Sequence, residues 1–230
     1  MKRKELQEER EEWRRREFRR SILLAAEKVI VARGYSAMTM DDVAREAQIS
    51  KATLYHYFRG KGELLLEILG NFFEETLQEV QRINRLRLSP EEKLKEGIHF
   101  YLRFNEEKEN ISRMLLMDRS IMEKMKMLVS PRDGPASEAD RRFITKMKAK
   151  RKDILDGVAE ILKEGMSRGK FRKMNVGAAV VFVESLLQGY CHVRLWDDRR
   201  FSIKEAAGII YEFILLGIGK EDGAAKGASR

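Results

Sequence analysis

Lys51, Thr53, Tyr55 and His56 place a cation, a hydroxyl, a phenol and an imidazole in one short run. Ser50 before them is a good helix N-cap, and Leu54 and Phe58, four apart, fall on one side of the helix that follows. The polar side chains then point elsewhere. A short helix with that polar face suits a DNA groove. Lys51 can pair with a phosphate or a guanine edge, and the hydroxyls can donate to phosphate oxygens. An ordinary surface helix pair in an all-α protein carries the same pattern, because helix-turn-helix geometry also occurs without DNA.

The sequence has no catalytic constellation: no P-loop, no dinucleotide-binding glycine fingerprint, no HExxH and no CxxC. His56, His99 and His192 lie far apart without short-spaced ligand partners, so no metal, cofactor or catalytic residue is expected. His192, beside Cys191 in an apolar helix, reads as a satisfied core histidine. Glu184, amid the apolar run 180–187, must face solvent, pair, or line a cavity. Phe100, Tyr101, Phe104, Met114, Met117 and Met122 are large and adaptable; they suit a mostly apolar pocket, or equally can fill gaps in a core.

These side chains need positioning elements, and every pattern in the chain is helical. Thr39 and Asp42 make a capping-box start for a first short helix with Val43, Ala44 and Ala47 on its apolar face; residues 47–50 join it to the second. Upstream, Ile22, Ala25, Ala26, Val29 and Ile30 form a helix face that Gly34 ends. Before it, residues 2–20 are almost wholly charged, a helical extension whose Arg14, Arg15, Arg16, Arg19 and Arg20 either reach DNA phosphates or stay solvated. Downstream, Lys61 and Gly62 open a long helix bearing Leu65, Ile68, Leu69, Phe72, Leu77, Val80 and Ile83. Ser89-Pro90-Glu91-Glu92 is another helix start. Ser137 with Asp140 caps a helix running to about Arg168, stopped by Gly169, with residues 170–172 as connector. Residues 176–196 and 203–217 are apolar on more than one face, which calls for a partner chain and a two-fold four-helix bundle.

The 230-residue chain can bury a sizeable core, and its charge of +9 fits a polyanionic partner without requiring one. One cysteine fits a reducing compartment. With no signal-peptide core and no stretch approaching a membrane span, a soluble cytoplasmic protein without a membrane partner is expected.

From Ile22 through AAEKVIVARGYSAMTMDDVAREAQISKATLYHYFRGKGELL, the sequence resembles the DNA-binding domain of the tetracycline-repressor (TetR) family. Gln48 stands where that family often has a turn glycine, and Ala52 where a small residue is usual. The resemblance implies an all-α fold. In it an N-terminal three-helix helix-turn-helix domain is joined by a continuing helix to an α-helical ligand-binding and dimerisation domain. Its divisions are residues 1–17 (charged extension), 18–66 (DNA-binding, motif about 39–58), 67–219 (ligand-binding and dimerisation) and 220–230 (tail).

The resemblance also implies DNA contacts from Thr39, Ser50, Lys51, Ala52, Thr53, Tyr55, His56 and Lys61. Lys51, Ala52 and Thr53 would meet base edges; Tyr55, His56 and Lys61 would hold the backbone. The implied partners are a double-stranded operator, a second copy of the chain through 176–196 and 203–217, and a small-molecule effector in a pocket lined by Phe100, Tyr101, Phe104, Met114, Met117, Met122 and Glu184. The implied function is a ligand-released repressor. The alternative is an all-α enzyme or scaffold whose helix-turn-helix is structural.

Overall fold

The structure is a computed structural model that describes residues 2–117, 119, 121, 123, 138–197 and 201–218. Its regular structure is helical: α1 (Lys2–Arg33), α2 (Met40–Glu46), α3 (Lys51–Tyr57), α4 (Lys61–Arg85), α5 (Pro90–Glu107), α6 (Glu109–Met117), α7 (Glu138–Ser167), α8 (Val176–Arg194) and α9 (Ile203–Ile218). Two compact units share α4 and α7. One holds residues up to Phe72 and from Glu109 to Met147; the other holds Phe73–Lys108 and the chain from Lys148 onward. The described residues between Glu109 and Met147 thus cluster with the amino-terminal unit; the sequence expectation had residues 67–219 as one domain. Ser137, the expected cap of α7, and the tail 220–230 lie outside the described residues.

In the first unit the charged extension and the first core helix are one 32-residue helix. Ile22, Ala26, Val29 and Ile30 on α1 are buried, as are Val43 and Ala44 on α2. Helix α1 packs against both α2 and α6. Gly34 takes a left-handed φ of 77°, and its N–H returns to the Ile30 carbonyl at 2.7 Å. This stops α1 and turns the chain toward α2.

The second unit rests on close helix approaches. On α7, Gly157 lies against Val80 of α4, and Asn84 Nδ2 donates to the Gly157 carbonyl (3.0 Å). Gly169, at φ 69°, reverses the chain. The N–H groups of Lys170 and Phe171 then donate to the Gly165 carbonyl at 2.8 and 3.1 Å. Phe171, expected to be mere connector, is instead almost wholly buried, its ring seated on Gly165. Helix α9 packs on α5, and α8 packs on both.

Helix α8 is two-sided: Ala179, Val180, Val183 and Leu187 are buried, whereas Val181, Phe182 and Val193 are exposed. By length and composition it is apolar enough to cross a membrane, which corrects the expectation that no stretch approaches a span. Yet only part of it is buried, and it carries an ion-paired Glu184. His192, expected in the core, is exposed and accepts from Trp196 Nε1 (3.3 Å).

A side chain at residue 165 would meet the Phe171 ring 2.1 Å away, and that ring is buried and cannot swing aside. Gly165→Ala is therefore expected to lower stability by about 1–3 kcal/mol in denaturant titration. Gly62→Ala, with nothing within 4 Å, should cost nothing.

Candidate nucleic-acid interface and ligand cavity

Short helices hold their shape only when their ends and one face are fixed. At α2 the Thr39 hydroxyl accepts from the Asp42 N–H (3.2 Å) and donates to its carboxylate (2.7 Å), while the Thr39 N–H donates to the same carboxylate (3.2 Å). The turn follows: Ala47 N–H donates to the Val43 carbonyl (2.9 Å), Gln48 adopts φ 56°, and Ile49 N–H donates to Ala44 (3.0 Å). The left-handed conformation falls on the position where the family often has glycine. Ser50 Oγ then accepts from the Thr53 N–H (3.0 Å) and shares a hydrogen bond with its hydroxyl (2.7 Å).

Leu54 and Phe58, both at zero exposure, pin α3 to the core, and this forces Lys51, Ala52, Tyr55 and His56 outward. Thr53 is half-buried, and His56 meets Tyr57 edge-on at 5.4 Å. Lys51 Nζ lies 2.7 Å from Asp41, an exposed pair that raises the lysine's pKa through their hydrogen bond. An exposed pair of this kind is weak enough for a phosphate to replace. Six of the eight expected DNA residues (Ser50, Lys51, Ala52, Thr53, Tyr55 and His56) thus gather on α3 and its cap. Thr39 is occupied in capping α2.

Two cations have structural places instead. Lys61 Nζ donates to the carbonyls of Tyr35, Ser36 and Met38 (3.4, 3.0 and 3.4 Å) and lies 5.1 Å from the Tyr35 ring. It closes the loop ahead of α2, where the resemblance implied a phosphate contact. Arg19, one of the arginines expected either to reach DNA phosphates or to stay solvated, turns inward instead. Its guanidinium grips the Glu67 carboxylate (Nε to Oε1, 2.7 Å), donates to the Tyr57 carbonyl (2.9 Å) and lies 4.2 Å over the Phe58 ring. One side chain therefore ties α1 to the end of α3 and to α4. The sequence marked this only as a cation just before the apolar face of α1.

In the second unit, α4, α5, α7 and α8 line a partly open cavity of about 110 Å³. Of the expected lining, Phe100, Tyr101 and Glu184 are present. Phe104, stacked on Phe100 at 5.2 Å, is buried outside the lining, and Met114 is buried in the other unit. Met122 and the Met117 side chain lie outside the described residues. Sequence reasoning missed Thr76, Lys93 and Gly97, and on α7 Ile154, Leu155, Val158 and Ile161. The 3/4 spacing of the α7 residues was the available signal. Glu184 both lines the cavity and pairs with Arg151, whose Nη2 lies 2.7 Å from each carboxylate oxygen. Burial pushes the Cys191 thiol up to about 11. Among the described residues, no three His, Cys, Asp or Glu side chains assemble as a metal site.

The α2 cap has a pH signature. Hydrogen bonds from Thr39, aided by Arg33 and Arg45, hold the Asp42 carboxyl below its ordinary 3.8. A depressed pKa contributes stability above the unfolded value, and that stability is lost as pH falls through the lower folded value. Asp42→Asn should therefore unfold more easily than the parent at pH 7, with the gap closing in denaturant titrations taken progressively below pH 4.

Residues 22–68 match the model for bacterial regulatory proteins of the tetR family. The chain is 34% identical over 92 residues to the HTH-type transcriptional activator FasR of Mycolicibacterium smegmatis, a match covering 40% of this chain and 42% of that one. The chain spans less than half the length of the curated relatives it matches first. Among solved structures, PfmR of Thermus thermophilus, a TetR family transcriptional regulator, aligns with TM-score 0.68 and 26% identity over 86% of this chain and 99% of that one. FadR of Bacillus subtilis, solved with stearoyl-CoA, aligns with TM-score 0.66 and 19% identity over 86% and 98%, a likeness of fold. The capped α2, the left-handed turn at Gln48 and the outward face of α3 all fall inside residues 22–68, the segment that matches the model for bacterial regulatory proteins of the tetR family.

Proposed function

We propose that the chain is a ligand-responsive transcriptional regulator that binds an inverted-repeat DNA operator as a homodimer and is released by a hydrophobic or amphipathic small molecule. The observation that carries this reading is the outward face of α3, Lys51, Ala52, Tyr55 and His56, set on a helix whose opposite face is sealed by Leu54 and Phe58. Lys51, Ala52 and Thr53 at its start would read base edges, and Tyr55 and His56 would hold phosphates. Arg14, Arg15, Arg16 and Arg20 on α1 stay exposed for further phosphate contacts. Lys61 serves DNA binding through the loop it closes.

Dimerisation through α8 and α9 explains why they leave so much apolar surface in water. Phe182, Phe213 and Leu216 are 74, 69 and 86% exposed. A two-fold partner that covered them would form the expected four-helix bundle and present two α3 helices to two half-sites. The cavity lies between α8 and the second half of α4, and α4 begins beside the operator-reading domain. A ligand that shifts α4 there would weaken operator binding, and coupling of ~1–3 kcal/mol is ordinary for such devices. A repressor by occlusion follows where the operator overlaps a promoter.

Gel retardation with DNA from beside the gene tests this reading. Tyr55→Ala removes one phosphate partner, so it should weaken all sequences alike and flatten the salt dependence of binding by about one unit. Substitutions at Lys51 and Thr53 should change the preferred bases as well. An unchanged Tyr55→Ala complex at physiological salt would remove α3 from the interface.

Ultracentrifugation tests the dimer separately. The parent should sediment as a dimer at micromolar concentration, and Phe182→Asp with Phe213→Asp should sediment as a folded monomer. A monomeric parent would contradict the assignment.

A further inference from the structure

Both charged groups on the cavity wall already face a fixed opposite charge. Lys93 Nζ donates to Glu164 (2.9 Å). The Glu184 carboxylate accepts from Arg151 and, at 3.0 Å, from Gln188 Nε2. Apart from these and Thr76, the polar lining side chain is Tyr101; the rest of the wall is aliphatic, Phe100 or Gly97. Tyr101 lines the cavity and is half-buried. Burial holds its phenol protonated, with the pKa far above the usual 10. Its hydrogen-bonding neighbour is the Asn105 side chain, whose amide also donates to the Tyr101 carbonyl (2.8 Å). A phenol can both give and accept a hydrogen bond, so Tyr101 can meet an uncharged ketone or alcohol oxygen.

We infer that the effector is an uncharged, ring-sized molecule whose single ketone or alcohol oxygen is held by the Tyr101 hydroxyl, with the aliphatic wall around its apolar body. This rests on the ligand-responsive reading and narrows it. A carboxylate would enter an apolar site whose cations are already paired and would lose its hydration without a counter-charge. An ammonium would meet a Glu184 already held by Arg151. Size points the same way, because an apolar protein cavity of ~150 Å³ holds one benzene. About 110 Å³ seats one ring or a short chain within the walls, and a long acyl thioester would have to leave most of its length outside them.

The test uses the full chain and matched probes: acetophenone and 1-phenylethanol, the apolar ethylbenzene, the anionic benzoate, the cationic 1-phenylethylamine, and stearoyl-CoA. Calorimetric titration should rank acetophenone or 1-phenylethanol at least tenfold tighter than the other four. Tyr101→Phe keeps the ring and should cost the two neutral oxygen ligands about tenfold in affinity while leaving ethylbenzene unchanged. Tighter binding of benzoate, 1-phenylethylamine or stearoyl-CoA, an equal loss for ethylbenzene, or no binding by either oxygen ligand would overturn the inference. Gel retardation without any probe reports on the regulator reading alone, so the two can fail separately.

Discussion

A seven-residue helix does not hold its shape in water, and the DNA-reading account depends on α3 being held. Its geometry is imposed from outside. Leu54 and Phe58 anchor one face, Ser50 fixes the first turn, and Arg19 fixes the last. Arg19 is central because it meets three neighbours at once: a carboxylate on α4, a backbone carbonyl at the end of α3, and the Phe58 ring that closes the core. A planar guanidinium can make in-plane hydrogen bonds and still stack; an ammonium cannot do both. Lys61 does comparable work on the loop before α2, so two of the domain's cations hold its frame while others face outward.

This division between structural and outward cations explains what was legible in the sequence. Helix starts at Thr39, Ser50 and Ser89, the stop at Gly34 and the special turn at Gln48 are local, and the structure places each as read. The partners of Arg19 and Lys61 are not local. They are set by which helix ends meet, and neighbouring residues carry no sign of it. The cavity followed the same rule. Phe100, Tyr101 and Glu184 were found by chemistry, but Met114 was assigned by composition, and α6 packs against α1 in the other unit. Gly157, Gly165 and Phe171 were silent because close approach leaves no periodic mark.

The second unit answers two opposed demands with one pair of helices. The inner face of α8 walls a cavity with Val180, Val183 and Leu187, while its outer face and that of α9 leave aromatic and aliphatic side chains in solvent. A helix apolar on both sides resembles a membrane span by composition. In the proposed dimer the same composition serves a helix whose one side faces its own core and whose other side faces a second copy. The ion pair of Glu184 with Arg151 fits this arrangement, since a carboxylate between two apolar surfaces needs a fixed partner.

In the proposed regulator α3, presented twice by a two-fold dimer, reads DNA. Selection of bound fragments from a random double-stranded pool, followed by sequencing, tests it most directly. An inverted repeat with half-site centres about one helical turn apart should be enriched, and the enrichment should vanish when Lys51, Thr53 and Tyr55 are replaced together by alanine in a chain that still folds. Enrichment of a non-symmetric site, or the same inverted repeat from the triple variant, would contradict it.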